Sequence, residues 1–206
     1  VQVLGKEGVL LQSGLGVVAV PVDDQDPEPV QELVDSVPAG DGGDLVSAGQ
    51  EIELGIRVFF LYREDWIHFH RYITSRFENN PAYYIQDRLK DFDEDPTHQY
   101  IAERPKAYKR TGDSKIYNGN EIEIITTGIY RSLHYTIKYK GYYVEIQGRT
   151  LFEEGWGEVD HDIVYKDAED DEMLQDYSRL LNRLSGLADE MSSYFRRLKH
   201  ERETDR

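Results

Sequence analysis

Two runs of alternating residues, Leu133 to Tyr139 and Tyr142 to Arg149, hold the side chains with the most chemistry to offer. Successive side chains on a strand point to opposite faces. Lys140-Gly141 suits a two-residue turn, because glycine tolerates positive φ. Such a turn sets Thr136 opposite Glu145 and His134 opposite Gln147. One face of the hairpin then carries Leu133, Tyr135, Ile137, Val144 and Ile146. The other carries His134, Thr136, Lys138, Glu145, Gln147 and Arg149. A carboxylate can accept a proton or hold a cation, and an arginine can neutralise oxygen anions. The plainer alternative is a solvated sheet face on which Glu145 is only a surface acid.

Other chemistries find less support. The 206 residues include no cysteine, which excludes disulfides, thiolate metal sites and thiol nucleophiles. His68 and His70 lie two apart, so on a helix they do not face one point. Ser13-Gly14-Leu15-Gly16 lacks the Lys-Ser/Thr that completes a phosphate loop. Arg104, Lys106, Lys109, Arg110 and Lys115 form a basic cluster in the polar stretch 99–128. It fits a solvated loop or a phosphate-facing one. The net charge of -16 disfavours broad contact with a nucleic-acid backbone but permits a small local phosphate site.

The elements that must position these residues start near Glu51, where the patterning strengthens. Gly55 to Tyr62 is β-branched and aromatic, a buried strand. Arg63-Glu64-Asp65 opens a helix whose apolar face is Trp66, Phe69, Tyr72, Ile73 and Phe77, ended by Asn79-Asn80-Pro81. A short helix is expected over 82–89. Thr150 can cap a helix with Phe152, Trp156, Val159 and Ile163 on its apolar face. A longer helix over 171–200 carries a stripe that includes Leu174, Tyr177, Leu181, Leu184, Leu187 and Met191, and that stripe reads as core. Upstream, Val9 to Leu11 and Val17 to Val20 could be short strands, Pro29 to Val34 a short helix and 38–44 a loop. The chain divides into an atypical N-terminal segment over 1–50, a main domain over 51–200 and a frayed tail over 201–206.

Five ordered segments resemble the RelA/SpoT alarmone synthetase family. Tyr130-Arg131-Ser132-Leu133-His134 is similar to its YRSLH element. Val144 to Thr150 is similar to its E-[IVL]-Q-[IV]-R-T strand, with Gly148 in place of the usual branched residue. Trp156-Gly157-Glu158-Val159-Asp160-His161 resembles its W-A-E-[IL]-E-H helix, and Leu184 to Met191 looks like its closing helix. Gly55 to Val58 resembles the strand before its first long helix, and the likeness covers about residues 54–199.

The resemblance implies an α+β fold, a mixed β-sheet flanked by helices in the manner of nucleotidyltransferases. It implies a GTP/GDP pyrophosphokinase, which moves pyrophosphate from ATP to the 3′-hydroxyl of a guanosine nucleotide. Tyr130 would stack on the guanine, and Glu145 would hold Mg²⁺ and help deprotonate the acceptor. Ser132, His134, Gln147 and Arg149 would line the acceptor site, with Arg57 and Arg131 as nucleotide-side cations. Two family features have no counterpart here. Ile52, flanked by Glu51 and Glu53, stands where the family has a metal-binding Asp. Residues 1–50 hold no R-x-K-x-x-x-S segment to grip ATP, which points to a truncated or rearranged N-terminus.

Two alternatives follow. One is a toxic relative that modifies adenosine nucleotides or the 3′ end of tRNA, the latter disfavoured by the net charge. The other is a catalytically impaired module that binds a nucleotide without turnover. A cytoplasmic location, no membrane partner and compatibility with a homo-oligomer complete the expectation.

Overall fold

Alternation of apolar and polar residues builds the sheet. The computed structural model describes residues 16–17, 54–84, 95, 97–113, 116–140, 142–165 and 171–204. Its strands are β1 (Gly16–Val17), β2 (Leu54–Phe60), β3 (Tyr100–Ile101), β4 (Lys106–Arg110), β5 (Glu123–Thr127), β6 (Ser132–Tyr139) and β7 (Tyr142–Thr150). They form a seven-stranded mixed sheet in the order β1-β2-β7-β6-β4-β5, with β3 also on β6. β1 runs parallel to β2, β2 to β7 and β4 to β5, whereas β6 is antiparallel to β3, β4 and β7. The helices are α1 (Trp66–Arg76), α2 (Leu151–Val159) and α3 (Glu172–Thr204), and a π-helical turn over Asp160–Tyr165 follows α2. This is the α+β architecture expected, a mixed sheet with flanking helices.

The hairpin register matches the alternation, with His134 opposite Gln147 and Thr136 opposite Glu145. Lys140 takes the left-handed conformation at the turn, φ 48°. The core lies on the apolar face, where α1 lays Trp66, Phe69, Ile73 and Phe77 against Val58, Phe60, Tyr135 and Ile137. Burying each of these side chains stabilises the fold by about 1.5–3 kcal/mol. The Phe69 ring meets Tyr135 edge-on at 5.5 Å, and His70 Nδ1 lies 3.0 Å from the Tyr135 hydroxyl. Thr150 caps α2 by accepting from the Glu153 amide at 3.2 Å.

Several expectations are corrected. The stretch 99–128 is not an irregular loop, since it supplies β3, β4 and β5. On α2 only Trp156 of the expected apolar face is buried, while Phe152, Val159 and Ile163 are exposed. The stripe on α3 is not core: Tyr177, Leu184, Leu187, Met191 and Tyr194 face outward, and Ser178, Asn182, Ser185, Asp189 and Ser193 face in. Residues 201–204 continue α3 instead of fraying. Residues 9–11, 18–20, 29–34, 38–44, Glu51, Ile52, Glu53, 85–89, Lys115 and Gly141, for which the sequence raises expectations, lie outside the described residues. Among the described residues, no helix is long and apolar enough to cross a membrane.

Gly148 explains its own departure from the branched residue of the resembling strand. A Cβ there would lie 2.8 Å from Phe60 Cζ and 3.2 Å from Phe69 Cε1. Both rings are buried, so they fill the space a side chain would need. Gly148→Val is expected to destabilise the fold by about 1–3 kcal/mol through overpacking. Thermal denaturation checks this, and an unchanged melting temperature contradicts it.

Candidate functional site

The polar face of the sheet gathers residues in rows across four strands. Arg57, Gln147, His134 and Lys106 form one row on β2, β7, β6 and β4. The next row places Arg149 beside Phe59 and Tyr108 beside Ser132. Glu145 lies opposite Thr136, one row the other way. His134 Nδ1 sits 3.0 Å from Glu145 Oε1, and both side chains are partly exposed. Gln147 also donates to the Glu145 carboxylate, and Arg149 Nη2 donates to Gln147 Oε1 at 2.9 Å. The bond with His134 does most to hold the Glu145 carboxyl below its ordinary value, against burial, and Gln147 and Arg149 add to it. Tyr108 and Tyr130 stack with centroids 5.2 Å apart, and Tyr108 meets His134 edge-on at 4.7 Å. The result is an ionised, partly exposed carboxylate beside an imidazole and a flat aromatic pair.

Two carboxylates in the first turn of α2 anchor this face. Glu154 accepts from Arg57 Nη1 at 2.6 Å and lies 3.4 Å from Arg149 Nη1. Glu158 also pairs with Arg57. Glu153 is buried, accepts from the Arg131 amide at 3.0 Å and pairs with Arg110. Acidic groups in the first turn of a helix suit its dipole. Arg110 Nε donates to Asn182 of α3 at 3.0 Å. Strands β2, β4 and β7 and the chain entering β6 are thus fixed to one helical turn.

With this geometry in view, comparison with known proteins places the chain. The family model described as "Region found in RelA / SpoT proteins" matches residues 50–170. The chain belongs to the RelA/SpoT family. No curated protein matches it. Solved structures that it resembles include the small alarmone synthetase 1 from Bacillus subtilis bound to its product pppGpp, at 18% identity and a TM-score of 0.43. That match covers 69% of this chain and 60% of that one. A Streptococcus mutans UA159 protein matches at 18% identity and a TM-score of 0.47, covering 87% of this chain and 76% of that one.

Of the residues that RelA/SpoT resemblance singles out, Tyr130, His134, Glu145, Gln147 and Arg149 come together on the polar face. Arg57 lies in the same row, held by Glu154 and Glu158. Arg131 and Ser132 differ. Ser132 is buried and accepts from Arg149 Nε at 3.3 Å. Arg131 is only 3% exposed. Its guanidinium binds both Asp113 oxygens, at 3.0 and 3.1 Å, and Asp189 Oδ2 at 2.7 Å. These partners turn it inward, so it fastens α3 to the sheet instead of facing a nucleotide. Sequence reasoning also missed Tyr108, Glu153, Glu154, Asn182 and Asp189. The T-x-x-E spacing of Thr150 and Glu153 is a helix-start signal that could have found the first of the two glutamates.

Among the described residues, no group of three or more His, Asp or Glu could hold a metal ion. Glu145 offers a single carboxylate, which fits Mg²⁺ only when phosphate oxygens and water complete its shell.

Two outcomes are expected. Arg131→Met should lower stability by about 3–5 kcal/mol, because it leaves buried Asp189 without its cation. Chemical denaturation without nucleotide checks this, and unaltered stability would return Arg131 to a ligand-facing role. Glu145 should titrate below the ordinary 4.5. Its stabilising contribution is present above the unfolded value and is lost as pH falls through the lowered one. Carbon-13 titration of this carboxyl should move up in His134→Ala; an unmoved midpoint would contradict the pairing.

Proposed function

We propose that this chain transfers the pyrophosphate of ATP to the 3′-hydroxyl of GDP or GTP, as a (p)ppGpp synthetase of its family. The observation that carries the proposal is the ionised Glu145 carboxylate, partly exposed and held by His134 and Gln147 on the polar sheet face. Membership of the RelA/SpoT family supports the reaction class.

In this reaction the acceptor 3′-oxygen bonds to the β-phosphorus of ATP. The bond from that phosphorus to the α,β-bridging oxygen breaks, AMP leaves, and the hydroxyl proton passes to a base. Glu145 would receive that proton or hold Mg²⁺ through the same carboxylate. Bound there with phosphate oxygens, the ion would supply charge neutralisation. A carboxyl kept below its ordinary value is a weak base but a steady anion, which favours the cation-holding role. Tyr130 offers a π-face beside the carboxylate, suited to a planar base. Arg149, held by Gln147, Ser132 and Glu154, stays as a fixed cation beside the carboxylate, where phosphate oxygens would meet it. Arg57, shared between two acids, stays as a fixed cation at the edge of the row.

A tRNA-modifying role draws less support than the basic cluster suggested. Arg110 is buried against Glu153, and Lys106 is tied to Glu103 at 3.2 Å.

The test is transfer of label from radiolabelled ATP to GDP or GTP with Mg²⁺. Glu145→Gln should lower the rate by about 10²-fold or more. Full activity in that variant overturns the assignment of Glu145. Guanosine nucleotide binding without turnover in the wild-type chain would favour the impaired module.

A further inference from the structure

The outward face of α3 is apolar where a surface helix is ordinarily polar. Met173, Leu180, Leu187 and Tyr194 alternate with Tyr177, Leu184, Met191 and Leu198 at spacings of four and three. That is a heptad seam sustained along the helix. Eight large apolar side chains of α3, Phe195 included, are 49–62% exposed. The helix cannot rotate to bury them, because its opposite stripe is already bonded. Ser178 accepts from Trp156 Nε1 at 3.1 Å, Asn182 accepts from Arg110 at 3.0 Å, Asp189 accepts from Arg131 at 2.7 Å, and Ser193 donates to Glu64 at 2.6 Å.

We propose that this seam packs against the same seam of a second copy of the chain, in antiparallel register about a two-fold axis. The charges beside the seam choose that occupant. Asp176, Arg183, Glu190 and Arg197 follow one another every seven residues with alternating sign. Antiparallel pairing sets Asp176 against the partner's Arg197 and Arg183 against the partner's Glu190, so each contact is attractive. In the same register Leu184 meets the partner's Leu187, and Leu180 meets the partner's Met191. A slip of one heptad either way sets Arg183 or Glu190 against itself, which repels. A parallel pair would face these charges with Leu174, Leu181, Ala188 and Phe195, which carry none.

Within the chain these charges stay at the surface. Glu190 lies 3.3 Å from Arg63 at 51% exposure, and Arg197 lies 3.7 Å from Glu64 at 58%. Eight half-exposed side chains of this size bring roughly 800 Å² per copy, on the order of what a stable interface takes from each partner. A two-fold pairing presents the same patch from both copies, which a self-complementary charge pattern requires.

The test is sedimentation of the full chain with two charge reversals, Arg183→Glu and Glu190→Arg, each confirmed folded by circular dichroism. The wild-type chain should dimerise. Each variant alone should raise the dimer dissociation constant about tenfold or more, since two attractive pairs become repulsive. An equimolar mixture of the two variants should recover wild-type association, because every pair across the mixed dimer is again opposite in sign. A monomeric wild-type chain at high micromolar concentration overturns the proposal. So does a dimer that the reversals leave unchanged, or a mixture that associates no better than its components.

Discussion

Two adjacent carboxylates, Glu153 and Glu154, decide where the C-terminal helices can sit. Each meets guanidinium groups from strands far apart in sequence, Arg110 for the first and Arg57 and Arg149 for the second. A buried charge without its partner costs several kcal/mol, so α2 has one low-energy seat on the sheet. The seat also sets the site. Arg149 is held at one end by Glu154 and at the other by Gln147, and Gln147 in turn holds Glu145. The position of the candidate carboxylate is therefore tied, through bonds between side chains, to the docking of a helix.

The same economy of charge shapes the rest of the molecule. The chain carries 40 acidic residues against 24 Lys and Arg, yet among the described residues the buried arginines are each matched by an acid. Arg131, with Asp113 and Asp189, closes the sheet against α3 in the way that Glu153 closes it against α2. Because the inward stripe of α3 is used for these polar bonds, its apolar stripe is left outside. An inside-out helix is the consequence of seating α3 through hydrogen bonds and an ion pair instead of hydrocarbon.

Much of the fold was legible because period decides it. The β6–β7 register, the facing of Glu145 and His134, and the apolar face of α1 all follow from alternation or helical spacing. What failed has a common cause: period shows that residues share a face, not which neighbour that face meets. The α3 stripe is periodic and exposed, and Arg131 sits in a recognisable motif but is spent on Asp113 and Asp189. Arg110 looked like a loop cation because its partners are 43 and 72 residues away. Strands β4 and β5 were hidden by their polar alternation, since one side of them continues the polar row, and β3 is only two residues long.

The polar row as a nucleotide site is tested most directly by backbone amide shifts during titration with GDP and Mg²⁺. Perturbation should centre on Tyr108, Tyr130, His134, Glu145, Gln147 and Arg149, and should leave α1 on the opposite face quiet. Shifts confined to α1 or to the outer face of α3, or none at saturating nucleotide, would contradict a site on this face.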